Sequence, residues 1–252
     1  MITVIFNLIF YKPLYNALVF IVGLVPVHDV GMAVIILTLI VQLILFPLRH
    51  RSIVAQRKMK QIDPEIKKIK EQFKKDKQEQ AKQVMALYRS HGISPFSGFL
   101  MLLIQLPVFI ALYKLFSTGI GFDPGNLYQF ISMPSFIKMN FLGLVDISKS
   151  NYALAVLAGL TQFFQMKLAM PKIGQSRGRD ETFQDQLSRT MNIQSRYIMP
   201  ALIFFIALKF SSAIALYWTT MNVFAIFHEA VVAAKARRLE EQKRYGTADG
   251  NY

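Results

Sequence analysis

Residues 31–48 read GMAVIILTLIVQLILFPL, and Thr38 and Gln42 are the only polar side chains among these 18 positions. At about 1.5 Å of rise per residue, a helix of this length nearly crosses a hydrocarbon layer of about 30 Å. A dense run of Lys and Arg follows Leu48. Basic residues are retained on the cytoplasmic side of a membrane, so this end of the span is expected to face the cytoplasm. Thr38 and Gln42 are four positions apart and share a helical face. An amide in lipid is costly without a partner, so that face should look into protein or water. Two readings stand open here: one hydrogen bond between packed helices, or the wall of a polar chamber inside the membrane.

Composition fits a polytopic membrane chain. Of the 252 residues 53% are hydrophobic and 17% charged, against about 25% charged in an ordinary soluble domain. The net charge of +14 would point to nucleic acid on a soluble protein; here topology accounts for most of it. Cysteine is absent, which excludes disulfides, zinc–thiolate sites, a thiol nucleophile and a lipidated cysteine anchor. The first residues, MITVIFNLIFYKPLYN, lack the basic start of a secretory signal and the Arg/Ser-rich character of a transit peptide. A mature chain of bacterial type is expected.

Upstream of the first span, residues 1–30 hold an apolar stretch, 1–27, interrupted by Lys12-Pro13 and Asn16. One reading is a single straight span, with Pro13 and a charge inside it; the expectation is instead a helix from Lys12 to Val25 lying in the outer interface, with Tyr11 and Tyr15 at headgroup level, and then a turn. Downstream, residues 49–94 read as a basic cytoplasmic helical hairpin. Asp63-Pro64-Glu65 predicts a helix start with Asp63 as N-cap. Met59, Ile62, Ile66, Ile69 and Phe73 recur at 3, 4, 3 and 4, a heptad seam. A polar turn at Lys74–Lys77 leads to a second helix carrying Ala81, Val84, Met85 and Tyr88 inward.

Residues 95–117 form a second span with Gln105 near its middle and a kink expected at Pro107; Lys114 near the outer end is expected to snorkel to headgroups. Residues 118–150 are an outer loop whose apolar pieces skim the interface, and 151–170 a third span. Residues 171–196 are a polar cytoplasmic loop. Residues 197–232 make 36 mostly apolar positions, about 54 Å as one helix and too long for one span. They are divided near Lys209–Ser212 into a fourth and a fifth span. Residues 233–252 are a basic cytoplasmic tail. The segments placed inside, 49–94, 171–196 and 233–252, hold 13, 5 and 5 Lys/Arg, whereas those placed outside hold Lys12, Lys138, Lys149 and Lys209. Five spans with the N-terminus outside and the C-terminus inside satisfy the positive-inside rule.

The polar groups available at membrane depth are Thr38, Gln42, Gln105, Thr161, Gln162, Gln165, Thr219, Thr220 and Asn222. Gln162 and Gln165, like Thr219 and Asn222, are three apart and can share a face. Any one of them alone reads as a packing hydrogen bond; the set, drawn from four segments, favours a hydrophilic groove. Tyr217 and Trp218 read equally as groove residues or interface anchors. An enzyme reading finds little support. The four histidines are scattered, no H-E-x-x-H or carboxylate pair lies within a span, and no G-x-x-x-x-G-K-[ST] phosphate loop is present, so no cofactor, metal or nucleotide is predicted. The rival class is a small transporter or channel; against it the halves show no inverted repeat, and solute flux in sealed vesicles would discriminate.

Several stretches carry a resemblance: GMAVIILTLIVQLILFPL, the basic segment MKQIDPEIKKIKEQFKKDKQEQAKQVMALYRSHGISP, LLIQLPVFIALYKLF, LTQFFQMKLAMPK, YIMPALIFFIAL and ALYWTTMN. In this order, with a charged hairpin between the first two spans, the chain resembles the YidC/Oxa/Alb family of membrane protein insertases over nearly its whole length. The resemblance implies an all-α membrane protein of five transmembrane helices around a hydrophilic groove open to the cytoplasm and to lipid. It implies nascent membrane proteins as substrates and membrane lipids as surroundings; the basic hairpin and tail offer non-specific phosphate contacts to a ribosome, and work alone or beside a Sec-type translocon both stay open. One departure matters. Bacterial members usually carry a basic residue where this chain has Gln42, and no Lys or Arg occurs between Gly31 and Leu48.

Overall fold

The computed structural model describes residues 2–94, 97–117, 124–169, 190 and 193–246, and these are mostly helical. The chain divides into two compact units, one of Met1–Ile44 with Leu106–Ala230 and one of Leu45–Gln105 with Val231–Tyr252.

In the first unit, α1 (Ile2–Phe6), a π turn (Asn7–Tyr11) and α2 (Lys12–Leu24) form one helical run. The helix expected from Lys12 thus begins ten residues earlier, and Thr3–Leu24 is long and apolar enough to cross a membrane. Pro13 is accommodated because the turn before it is widened: the Lys12 N–H reaches back five residues to the Asn7 carbonyl, easing the clash a proline ring makes with a regular helical turn. A tight turn at Pro26–His28, with Val27 and His28 both at positive φ, leads into α3 (Val30–Ile44). Leu18, Val19 and Val22 of α2 and Val30, Ala33, Val34 and Leu37 of α3 are buried at the i, i+3, i+4 spacing of one helical face, and the two helices pack on each other.

α3 stops at Ile44 rather than Leu48. A turn at Leu45 (φ −82, ψ −4) interrupts the helix because Pro47 denies the chain a donor and crowds the preceding turn. A new helix, α4 (Phe46–Gln61), follows, taking in the last residues expected in the first span and the start of the segment expected as a hairpin.

The second unit holds α4, α5 (Asp63–Gln72) and α6 (Lys77–Ser90). Asp63 is not an N-cap: it lies within the first turn without capping and pairs with Lys67 at 3.5 Å. The cap of this region is Asp76, which accepts from the N–H groups of Gln78 and Glu79 at the start of α6. Ile62, Ile66 and Ile93 form a small core with Met59, Val84, Leu87 and Tyr88 against it. Of the residues expected to face inward on α6, Val84 and Tyr88 do so, while Ala81 and Met85 are exposed. The reason is Gly92. Its φ of +61 closes the helix with an Ile93 N–H to Tyr88 C=O bond of 2.9 Å, folding Ile93 back onto the seam. Burial, and secondarily the Asp63 carboxylate, raise the Tyr88 hydroxyl above its usual pKa. The Gln80 amide ties α6 to α5 by donating to the Lys70 carbonyl at 2.7 Å. α7 (Ser97–Ser117) carries Pro107 inside a single helix, and Leu106 onward belongs to the first unit.

The loop before the next helix contains a two-stranded hairpin, β1 (Asn140–Phe141) and β2 (Val145–Asp146), paired antiparallel. α8 (Tyr152–Ala169) packs on α9 (Met199–Lys209) along a stripe of small buried residues, Ala155, Ala158 and Gly159. A Cβ at Gly159 would lie 3.2 Å from the Phe204 Cβ and 3.3 Å from the Pro200 carbonyl. Small residues of this kind let two helix backbones approach closely, a packing that needs no exclusion of water. α9, preceded by a π turn (Gln194–Ile198), ends at Lys209. Phe210 is extended at φ −108, ψ 172, and α10 runs from Ser212 to Gly246. Residues 171–189 and 247–252 lie outside the described residues.

Candidate functional site

The polar residues that the sequence places at membrane depth divide by burial. Thr38, Gln42, Gln162, Thr219 and Asn222 are buried, while Gln105, Thr161, Gln165 and Thr220 are half-buried. Thr38 and Gln42 lie one turn apart on α3, on the face that also buries Val34 and Leu37. The Thr38 hydroxyl donates to the Val34 carbonyl at 2.6 Å, and the Thr220 hydroxyl does the same to Leu216 at 2.8 Å. A hydroxyl in a helix can satisfy itself this way on its own backbone. A primary amide has more groups to satisfy.

That difference singles out Gln42. Its relative exposure is 0%, and neither its Nε2 nor its Oε1 has a hydrogen-bond partner among the described residues. Leaving such a group unpaired in a dry interior costs about 1–3 kcal/mol, so an unmet amide needs an explanation. The Thr219 hydroxyl is likewise buried without a partner among the described residues. One turn along α10, Asn222 donates from Nδ2 to the Thr161 hydroxyl at 3.4 Å, a long bond, while that hydroxyl bonds Leu157 C=O at 2.8 Å. The structure therefore brings Thr161 of α8 and Asn222 of α10 together. Gln162, one residue on from Thr161, is buried; Gln105 belongs to the second unit.

Tyr217 and Trp218 separate. Tyr217 is 1% exposed and among the largest fully buried side chains, so it is a core residue of the first unit. Trp218 is half-buried and stacks on Phe109 of α7 at 5.1 Å between ring centroids. Lys114 is exposed; its ammonium lies 4.7 Å over the Tyr11 ring and donates to the Asn7 side-chain carbonyl at 3.4 Å.

Two kinds of site-shaping residue escaped the sequence reading. His228 and Glu229 on α10 are both buried. Ionisable groups buried in membrane helices are costly and so are functional candidates; the pair was legible as an oddity in an apolar run but not as buried. The other kind ties loop to helix. Asn16, 1% exposed, donates to the Lys12 and Asn126 carbonyls at 2.8 and 2.9 Å and accepts from the Tyr128 N–H at 2.7 Å. Asp29 is also buried. Its Oδ1 accepts from the Gly31 and Met32 N–H groups, capping α3, and its Oδ2 accepts from Leu142 N–H at 2.8 Å. Ser212 closes the set, its N–H and hydroxyl both donating to the Lys149 carbonyl.

The family model described as 60Kd inner membrane protein matches residues 21–240. A membrane protein insertase YidC of Clostridium tetani is 34% identical over 198 residues, 79% of each chain. One of Oceanobacillus iheyensis is 30% identical over 232 residues, 90% of this chain and 83% of its own. One of Geotalea daltonii is 29% identical over 225 residues, 88% of this chain but 36% of its own, so against such longer relatives the chain spans about a third of their length. A match covering most of the chain, built on the same helices that bury Gln42, Gln162 and Asn222, places it by descent: the chain belongs to the 60Kd inner membrane protein family.

Proposed function

We propose that this chain is a membrane protein insertase of the bacterial inner membrane, passing nascent membrane proteins from the cytosol into the bilayer through a hydrated groove without nucleotide hydrolysis. The observation that carries the groove is Gln42, a fully buried amide with no hydrogen-bond partner among the described residues; water or an arriving polypeptide would meet that demand. Thr219, and the pair Thr161–Asn222, support it from α8 and α10. A charged residue at the bilayer centre costs about 2.5–3.5 kcal/mol on insertion scales, so the polar tail of a substrate opposes entry. Polar groups partway into the membrane shorten the apolar path that tail must cross. The substrate's own span then leaves sideways, gaining about 0.3–0.6 kcal/mol per central Leu, Ile, Phe or Val.

The topology in this reading has five spans, with the N-terminus outside and the C-terminus inside. The α1–α2 run lies along the outer interface despite being long enough to cross. Three contacts, two along its length and one in the turn after it, support this: Tyr11 with Lys114 at the far end of α7, Asn16 with Asn126 and Tyr128, and His28 with Lys138. A single outer level satisfies all three. The basic pair α5–α6 and the end of α10 face the cytoplasm, where they receive nascent chains and touch ribosomal RNA through salt-sensitive phosphate contacts. A Sec-type translocon is a further partner.

The test is photocrosslinking from positions 42, 162 and 219 to stalled nascent membrane proteins. Adducts with short nascent spans are expected. Adducts with lipid alone at all three positions would refute the groove.

A further inference from the structure

We propose that the β1–β2 hairpin is a rigidly mounted wedge that seats Leu142 and Leu144 among the acyl chains of the outer phospholipid leaflet; the assignment to that leaflet rests on the topology proposed above.

The mounting is specific. The buried Asp29 carboxylate caps α3 with one oxygen and holds the Leu142 N–H with the other at 2.8 Å. Lys138 is pinned on both sides, its N–H donating to the His28 carbonyl and its carbonyl accepting from the Val30 N–H. Phe141 packs so tightly on α3 that a Cβ at Gly31 would lie 2.5 Å from its ring. At the other strand, Ile147 is fully buried and accepts from the Ala213 N–H at the start of α10.

What this frame presents is apolar. Leu142 is 60% exposed and Leu144 84% exposed, although the rest of the hairpin is fixed. Leu142 stands at φ +52, a left-handed conformation that glycine or asparagine adopts far more readily than a branched aliphatic residue. Strain of this kind persists where surroundings enforce it and marks places where function is served. A soluble loop would have no use for an exposed leucine held in that conformation.

The occupant is lipid rather than protein. Strands of two residues offer almost no edge for another strand to extend. Two leucines at a tip fall far short of the roughly 1,200 Å² that a specific protein interface buries. From Leu127 to Leu144 the only charged residue is Lys138, and Lys149 follows, so acyl chains below and anionic phosphates above match the loop in both polarity and charge.

The chain has no cysteine, so single-cysteine probes are available. The full chain bearing Leu144→Cys, labelled with an environment-sensitive fluorophore, is reconstituted in phosphatidylethanolamine/phosphatidylglycerol vesicles. Strong quenching by lipids doxyl-labelled on the acyl chain, with several-fold less quenching by aqueous iodide than for the same probe at Ser148→Cys, is expected. Equal iodide quenching at both positions, without acyl-chain quenching, would overturn the wedge, as would efficient disulfide formation between two Leu144→Cys copies. Leu144→Trp in a Trp218→Phe background repeats the measurement by an independent label should the first variant fold poorly. Labelling of Ser148→Cys by an impermeant maleimide in intact cells tests the topology separately. Labelling only after permeabilisation would refute the outer placement while leaving the quenching result to judge insertion.

Discussion

Replacing Gln42 with leucine separates a groove from a packing contact, because the two readings predict opposite results. Both amide atoms are buried without a partner among the described residues. Leucine has similar volume and asks for no hydrogen bond, so in the detergent-solubilised protein Gln42→Leu relieves an unmet demand of about 1–3 kcal/mol. For a chain of this size each kcal/mol moves the thermal midpoint by about 2–4 °C; the variant should therefore melt higher. Function should move the other way. If the amide bonds a transient water or substrate backbone during passage, its loss costs about 1 kcal/mol at the barrier, a rate about fivefold lower. The assay is insertion of a single-span substrate into proteoliposomes, read as protease-protected product over time, beside the melting curve. A variant that melts lower, or one that inserts at the parental rate, would refute the reasoning.

Gln42→Arg should speed insertion of substrates with acidic tails and leave neutral-tailed ones unchanged, because a fixed charge attracts only the former; equal effects on both, in the same assay, would tell against it. Asn16→Leu removes the bonds that tie the loop at Asn126 and Tyr128 to α2, and a buried group left unmet costs about 1–3 kcal/mol, so limited proteolysis should cut near residues 126–128 at a protease level the parent resists. Gly31→Ala drives a methyl into Phe141 and should cost about 1–3 kcal/mol by overpacking, read as a lower melting midpoint that Phe141→Ala partly restores. The Ser148 hydroxyl, foremost, then its N–H and Lys149, hold the Asp146 carboxyl below its ordinary 3.8. A carboxylate so lowered stabilises the fold above its ordinary value and loses that contribution as pH falls through the depressed one. Amide protection at Ser148 should fade on acidification, at higher pH in Ser148→Ala, followed by hydrogen exchange.

Hydropathy and charge carried the reading of the helices a long way. The break near Lys209–Ser212 followed from length alone, since 36 apolar residues overfill one bilayer, and the extended Phe210 lies there. What the sequence left dark was set by contacts distant along the chain. No Gly or Pro marks that turn; it is held by Ser212 and Ala213 bonding the loop at Ile147–Lys149. Asn16 and Asp29 looked like ordinary polar residues at helix boundaries, and nothing local tells that each clasps a loop more than 100 positions away. On α6 the apolar pattern does not tell Ala81 and Met85, which are exposed, from Val84 and Tyr88, which pack against a core completed by Ile93 beyond the closure at Gly92. In the candidate site, residue types were legible because amides are rare in apolar runs; which of them would be left without a partner depended on packing.

Trp218 is the chain's single tryptophan, and it is stacked on Phe109 across the α7–α10 contact. Any event that parts these two helices alters the indole's surroundings, so its emission is an optical gauge of their separation built into the unmodified polypeptide. A nascent span wedging between α7 and α10 during passage would register as a time-resolved colour change with no label added.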